Sequence, residues 1–263
     1  MKVFTFNIRY GSAKDGANGW EFRKHLLISL LKTHSPDLVG MQEVEHFQLT
    51  EILNELGGEY ESVGQGRNGN TNGEMNPILF KKTKLSCAKT HTHWLSNTPN
   101  KPGSTSYGNY LPRIFTWAKF VPLEDANKKP FLFVNTHLDH QSEAARIEGS
   151  KQILKFISEQ RSTLPNVILT GDFNNHTLDD QEIELVLNAG LIDTYRLVNK
   201  IESKDESFTF HGFTGKNKFK WGMSTIIDFV FVSGFDVLNS SIIKDNQNGQ
   251  YPSDHFPVCT ILE

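Results

Sequence analysis

Short apolar runs of strand length recur along the chain, each bounded by turn residues, and between some of them the spacing switches to that of a helix. Residues 2–7 (KVFTFN), 37–44 (DLVGMQEV), 77–80 (PILF), 113–121 (RIFTWAKFV), 131–138 (FLFVNTHL), 166–173 (NVILTGDF), 226–233 (IIDFVFVS) and 255–262 (HFPVCTIL) are rich in β-branched and aromatic residues and predict strands. Over 21–33, Phe22, Leu26, Leu27, Leu30 and Leu31 fall at helical spacing, and further helices are predicted over 46–56, 142–161 and 180–188. Ser142 ahead of Glu143 and Ala144 is a suitable helix start. Pro36 and Pro165 each end a helical pattern just before a strand. Segment 64–76 holds four Gly and four Asn, and 96–110 holds Pro99, Pro102, Gly103 and Gly108, so both read as surface loops. There is no internal repeat and no linker between regimes. The pattern predicts one domain over 1–263, built from two packed sheets with helices outside.

Composition narrows the classes. At 263 residues the chain can bury a substantial core without staples. Cys87 and Cys259 are too few for a disulfide framework and form no C-x-x-C, and Cys259 reads as a small buried hydrophobe. A formal net charge of −3 excludes a broadly basic nucleic-acid coat, although a local basic patch is compatible with it. No apolar run approaches the roughly 20 residues of a membrane span. The opening MKVFTFNIRY lacks a leader pattern, so a cytoplasmic protein is expected.

The residues able to do chemistry sit where apolar runs end. In GDFNN, Asp172 and Asn174 follow NVILT and lie on one side of the emerging chain. Taken alone, Gly-Asp-x-Asn is equally a turn. Ser253-Asp254-His255 opens the last predicted strand between Pro252 and Pro257, although a lone Asp-His pair also caps loops. Asn7 ends the first run, Gln42-Glu43-Val44 the second, and His137 another. Asp228 interrupts the apolar stretch 226–232, where a charge is costly unless paired or bound to a cation. Gathered at one rim, Glu43, Asp172, Asp228 and Asp254 would repel by roughly 1–4 kcal/mol per pair at about 4 Å. A hard divalent cation removes that cost, and Mg²⁺ prefers such oxygen ligands. No H-E-x-x-H occurs, and His91 and His93 stand without nearby Cys, so a zinc site is not indicated. The absence of G-x-S-x-G and of a phosphate-binding P-loop removes serine acyl hydrolysis and nucleotide-driven motor work.

The segments TFNIRY, QEV, NTHL, GDFNN, IIDFVFVS and PSDHFPV, in that order from residue 5 to 258, resemble the endonuclease/exonuclease/phosphatase superfamily. WLSNTP at 94–99 and GNYLPRIFTW at 108–117 look most like its bacterial metal-dependent hydrolases, with a fainter likeness to nocturnin-type deadenylases. The resemblance implies an α/β fold, a four-layer α/β/β/α sandwich of two mixed β-sheets flanked by helices, with the site at one rim. It implies that Glu43 ligates Mg²⁺, or Mn²⁺ in its place, with Asn7 and Asp254 near the metal or phosphate. Asp172 would orient or deprotonate the attacking water. Asn174 would help hold the phosphate. His255 would stabilise the phosphorane, its tautomer fixed by Asp228. His137 would be a second phosphate-facing imidazole, oriented by Glu74, and Arg113 a phosphate-binding cation. Where abasic-site nucleases carry an acidic residue two positions after the first-strand Asn, this chain has Arg9. Arg9 either tunes the site toward an anionic phosphate or forms an ion pair with a rim carboxylate.

Trp117 belongs in the core, and Trp20 reads the same way, whereas Trp94 and Trp221 lie beside loops and are candidates for substrate contact. Lys216, Lys218 and Lys220 alternate with Phe219 and Trp221, as a solvated hairpin or a phosphate-steering patch. His140, His176 and His211 carry no usable pattern. The expectation is a Mg²⁺-dependent phosphoesterase that hydrolyses a phosphodiester or phosphomonoester by direct attack of water. A nuclease on RNA or DNA, and a non-catalytic binding module on the same fold, are the alternatives. The partner is a phosphorylated small molecule or a nucleic acid, with no obligate protein partner, selected by loops 64–76, 96–110 and 208–223.

Overall fold

The computed structural model describes residues 1–124, 128–177, 180–199, 207–218 and 226–263. Its strands are β1 (Lys2–Asn7), β2 (Leu38–Gln42), β3 (Tyr60–Val63), β4 (Ile78–Lys81), β5 (Leu85–Trp94), β6 (Ile114–Pro122), β7 (Phe131–His137), β8 (Val167–Asp172), β9 (Ile192–Asp193), β10 (Asp228–Ser233), β11 (Val237–Ile242) and β12 (Val258–Leu262). The helices are α1 (Trp20–His34), α2 (His46–Glu55), α3 (Glu143–Gln160), α4 (Gln181–Asn188) and α5 (Thr194–Val198). Ser142 Oγ accepts the Ala145 N–H at the start of α3, the cap the sequence suggests.

The strands make two six-stranded sheets, ordered β11-β12-β1-β2-β4-β3 and β5-β6-β7-β8-β10-β9. The pairs β1–β2 and β7–β8 are parallel and the remaining neighbours antiparallel, so both sheets are mixed. Alternation along each strand assigns its two faces. Phe4, Phe6, Val39 and Met41 face outward, under Leu27, Leu30 and Leu31 of α1 and Leu49 and Ile52 of α2. On the other sheet, Leu132, Val134, Leu169 and Phe229 pack under Ile153 and Ile157 of α3 and Ile183 and Val186 of α4. Between the sheets lie Val3, Leu38, Ile78, Phe120, Phe133, Ile168, Val230 and Val232. The result is the expected α/β/β/α sandwich.

Every strand read from the sequence forms, and the ones not predicted are β3, β5, β9 and β11, the four edge strands of the two sheets. An edge strand such as β5 (LSCAKTHTHW) leaves half of its side chains exposed and so writes no continuous apolar run. Two boundaries move for local reasons. The last strand starts at Val258 rather than at 255, because Pro257 offers no N–H and His255 pairs instead as an isolated bridge with Phe210. The second strand stops at Gln42, because Glu43 has a left-handed φ of 59°. Among the described residues no helix is long and apolar enough to cross a membrane.

The inner face of the second sheet is ordered in rows. Register aligns Ala118–Phe133–Ile168–Val232 in one row, then Thr116–Asn135–Thr170–Val230, then His137–Asp172–Asp228. The first sheet mirrors this, with β1 running Val3, Thr5, Asn7 and β2 running Leu38, Gly40, Gln42. The interior therefore passes from apolar to amide and hydroxyl to charge within a few residues. The middle layer joins the sheets. Gln42 Nε2 donates to Asn135 Oδ1 (2.7 Å) and Thr5 Oγ1 (3.1 Å), Thr170 Oγ1 donates to Asn135 Oδ1 (3.1 Å), and Asn135 Nδ2 donates to the Met41 carbonyl (2.7 Å). Gly40 admits this contact, since a Cβ there would overlap Thr170 Oγ1 and Asn135 Oδ1. Replacing Asn135 with Ala strands several buried donors and acceptors at once. It should lower the unfolding free energy by about 2–4 kcal/mol in denaturant titration.

Candidate active site

The strand ends converge at one rim. Asn7, Glu43, His137 and Asp172 lie at the C-terminal ends of β1, β2, β7 and β8, while Asp228 and the Asp254–His255 segment enter at the starts of β10 and β12. Arg9, Glu43 and Asn174 turn there with positive φ (59°, 59° and 49°), each at a cost of about 1–3 kcal/mol that surrounding bonds must offset. Those bonds are present. Glu43 accepts from Asn7 Nδ2 and from the Tyr10 N–H, both at 3.2 Å. Asp172 Oδ1 accepts the Asn174 N–H, and Asp172 Oδ2 accepts Asn7 Nδ2, both at 2.9 Å. Asn7 is fully buried and acts through these two carboxylates.

Asp172 is the centre of the arrangement. Its Oδ2 lies 3.6 Å from His137 Nε2 and 3.9 Å from His255 Nε2. Burial first, and then the charge of Asp228, raise the Asp172 carboxyl to about 7. His255 Nδ1 meets Asp228 Oδ2 at 2.9 Å. Burial opposes the charge on His255, but Asp228, followed by Asp254 and Asp172, lifts it to about 10, so the ring is an imidazolium at neutral pH. His137 is the opposite case, driven well below 6.5 by burial and then by Arg113, and therefore neutral. Asn174 Nδ2 donates to His137 Nε2 (2.9 Å) and to the Leu138 carbonyl (3.1 Å), which puts the His137 proton on Nδ1. Burial also raises Asp254.

The donor set suits a hard divalent cation. Glu43, Asp172 and Asp254 line the cleft with carboxylate oxygens, and Asp228 Oδ1 is buried with no hydrogen-bond partner among the described residues. Ligand atoms of Asp172, Asp228 and His255 lie within 4.8 Å of one another. Because His255 Nδ1 is committed to Asp228 and the ring is charged, the oxygens of Glu43 and Asp254 are the better ligands.

Other residues frame this centre. Arg9 forms a two-point ion pair with Asp15 (3.0 and 3.1 Å) and stands 3.9 Å from both Glu43 and Asp254, so of its two readings the ion pair is observed. Arg113 is held by Asp139 (3.2 Å) and meets His140 Nδ1 at 2.8 Å, in the cleft wall. Glu74 departs from expectation, because its partner is Arg67 (2.7 Å) rather than His137. Trp94 is buried, and its Nε1 donates to the Arg67 carbonyl, so it secures the 64–76 loop instead of meeting substrate. Trp20 and Trp117 are buried as read. Lys216 and Lys218 are exposed, while Phe219, Lys220 and Trp221 lie outside the described residues.

Arg23, Arg67 and His140 were not singled out for function, although Arg23 left a trace by interrupting the apolar stripe of α1. It is 1% exposed and donates to the carbonyls of Ile8 (2.7 Å), Arg9 (2.8 Å), Asn18 (2.9 Å) and Pro252 (2.9 Å). It thus fastens the segment after β1 to the one that delivers Asp254. The cleft encloses about 700 Å³ and runs on past Tyr10, Leu111 and Phe210.

Residues 4–255 match the sequence profile of the Endonuclease/Exonuclease/phosphatase family. The chain belongs to that family. Its members are hydrolases acting on phosphate esters. A family structure from Bacteroides vulgatus is 33% identical and superposes with a TM-score of 0.88, covering 100% of this chain and 98% of that one. The mannosyl-6-phosphatase of Bacteroides thetaiotaomicron is 30% identical, with a TM-score of 0.87 and coverage of 100% and 99%. The human Nocturnin catalytic domain, at 17% identity, TM-score 0.76 and coverage of 100% and 94%, shares the fold.

Two outcomes are expected. Arg23→Lys keeps the charge but not the planar fan of donors, and should cost about 2–4 kcal/mol in unfolding free energy. His211 is buried behind His255, and burial lowers its ring from 6.5 to about 3. Its contribution is therefore complete above pH 6.5 and is lost as pH falls toward 3. Relative to His211→Asn, the wild-type unfolding free energy should decline below that pH by up to about 1.4 kcal/mol per pH unit.

Proposed function

We propose that residues 1–263 form one catalytic domain, a Mg²⁺-dependent phosphoesterase, with Mn²⁺ as a substitute ion, that hydrolyses its substrate by direct attack of water. The observation that carries this reading is the buried row His137–Asp172–Asp228 capped by His255. It sets a carboxylate of pKa about 7 beside an imidazolium at the floor of an open cleft. Bound by Glu43 and Asp254, with Asn7 orienting Glu43, Mg²⁺ would supply charge neutralisation at the phosphoryl oxygens. Asp172, fixed by Asn7 and Asn174, accepts the proton of the attacking water. His255, kept charged by Asp228, donates from Nε2 to the oxygen on which negative charge grows. Asn174 positions neutral His137, which is left with its Nδ1–H to donate to a substrate oxygen, and Arg113 adds a fixed positive charge. No covalent enzyme intermediate is required.

A small phosphorylated molecule fits better than a polymer. The cleft is of small-molecule size, the chain is net negative, and the mannosyl-6-phosphatase is among its similar structures. The assay that tests this uses p-nitrophenyl phosphate, bis-p-nitrophenyl phosphate, hexose phosphates, oligo(A) and single-stranded DNA with Mg²⁺, Mn²⁺ or EDTA. Turnover should require the ion and fall about 10²–10⁴-fold in kcat for Asp172→Ala and His255→Ala. Activity that survives EDTA or Asp172→Ala overturns the mechanism. Oligonucleotides preferred over hexose phosphates would favour the nuclease, and Mg²⁺ binding without turnover the binding module.

A further inference from the structure

Resting on the phosphoesterase reading of this cleft, we infer that the Arg67–Glu74 ion pair is a polyol-reading subsite, and that the substrate is a single phosphate carried on a neutral, hydroxyl-rich group such as a sugar. The sheet order sets the two ends of the cleft. Asp254 and His255 stand at its β12/β10 end, and Asp172, Glu43 and His137 in the middle. Glu74 and Arg113, which precede β4 and β6, stand at the other end. A phosphate engaged at the centre therefore directs the rest of its molecule along a wall that contains Arg67 and Glu74.

That wall is built in advance. Arg67 and Glu74 sit opposite each other on a tight hairpin, with the Arg67 N–H donating to the Glu74 carbonyl (2.9 Å), Gly66 N–H to Asn70 (2.7 Å) and Asn68 N–H to Asn72 (3.0 Å). Trp94 Nε1 (2.6 Å) and the Gly103 N–H (3.1 Å) both donate to the Arg67 carbonyl and tie the hairpin to the body. A hairpin anchored at its backbone holds the two side chains where a ligand must meet them.

Charge balance selects the ligand. Arg67 is matched by Glu74 at 2.7 Å and Arg113 by Asp139 at 3.2 Å, and His140 is shifted toward the neutral form, first by burial and then by Arg113. Among the described residues lining this end, each arginine already has its carboxylate. A second phosphate would have to displace one of those pairs or place its own charge beside Glu74 or Asp139, and either is unfavourable. A hydroxyl need not displace it. Its oxygen accepts from the guanidinium while its proton goes to the carboxylate, so the pair stays intact and both roles of the hydroxyl are used. Tyr10 and Leu111 add apolar surface suited to the C–H face of a sugar ring.

The test compares kcat/KM for mannose, glucose and galactose 6-phosphates with that for p-nitrophenyl phosphate, which bears no hydroxyls. Wild type, Glu74→Gln and Arg67→Met are assayed. The ratio of best hexose phosphate to p-nitrophenyl phosphate should fall at least about tenfold in each variant, mainly through KM. A ratio that does not move, or a wild type that prefers hexose 1,6-bisphosphate, overturns the inference while ion-dependent turnover of p-nitrophenyl phosphate leaves the phosphoesterase reading standing. A second readout needs no turnover. Calorimetry of the same hexose phosphates against Asp172→Ala, with and without Glu74→Gln, should show the affinity relative to inorganic phosphate drop at least about tenfold. An unchanged relative affinity overturns the inference even if no substrate is hydrolysed.

Discussion

Two carboxylates placed directly opposite each other on adjacent strands, inside a protein, should drive those strands apart. Asp172 and Asp228 are such a pair, in register across β8 and β10 and nearly fully buried. Like charges so placed destabilise a sheet. The rest of the rim is organised around that repulsion. His255 inserts its charge from the opposite layer, Asn7 reaches across to Asp172, and the Asn174 backbone bends into a left-handed turn to add an N–H. Burial, with that repulsion added to it, raises Asp172 to about 7, where a carboxylate exchanges protons with water under neutral conditions. Stability is given up locally and reactivity results.

The sandwich carries this cost because its interior is graded. Apolar rows of Phe, Ile and Val hold the sheets together away from the rim, and a layer of Asn135, Gln42, Thr5 and Thr170 separates them from the charges. The amide layer fixes the distance between sheets, which hydrocarbon contacts alone leave adjustable.

Much of this was legible in the sequence, for a specific reason. An inner strand is covered on both faces and writes its burial as a short continuous apolar run, so all eight inner strands and their terminal Asn7, Glu43, His137 and Asp172 could be read. Edge strands bury less and wrote little. The six short motifs named the family, yet side-chain partners were harder. The resemblance makes Glu74 the residue that orients His137, whereas the hairpin geometry gives it to Arg67. Trp94 looked like a loop aromatic and is a buried anchor, because the 96–110 segment folds back over it. Arg23 shows the limit most clearly. Its partners are backbone carbonyls, one of them 229 positions away, and carbonyls have no residue-type signature.

That long reach has a consequence for assembly. β12 is an inner strand, inserted between β11 and β1, and Lys2 lies opposite Ile261 in its register. Asp254 and His255 reach the rim only when this last strand enters a sheet begun by the first, and Arg23 then closes over Pro252. Contacts of such separation slow the folding of a domain. A chain still emerging from the ribosome therefore holds Asp172 and Glu43 without their counterpart. The candidate site and the completed sheet come into being in the same step.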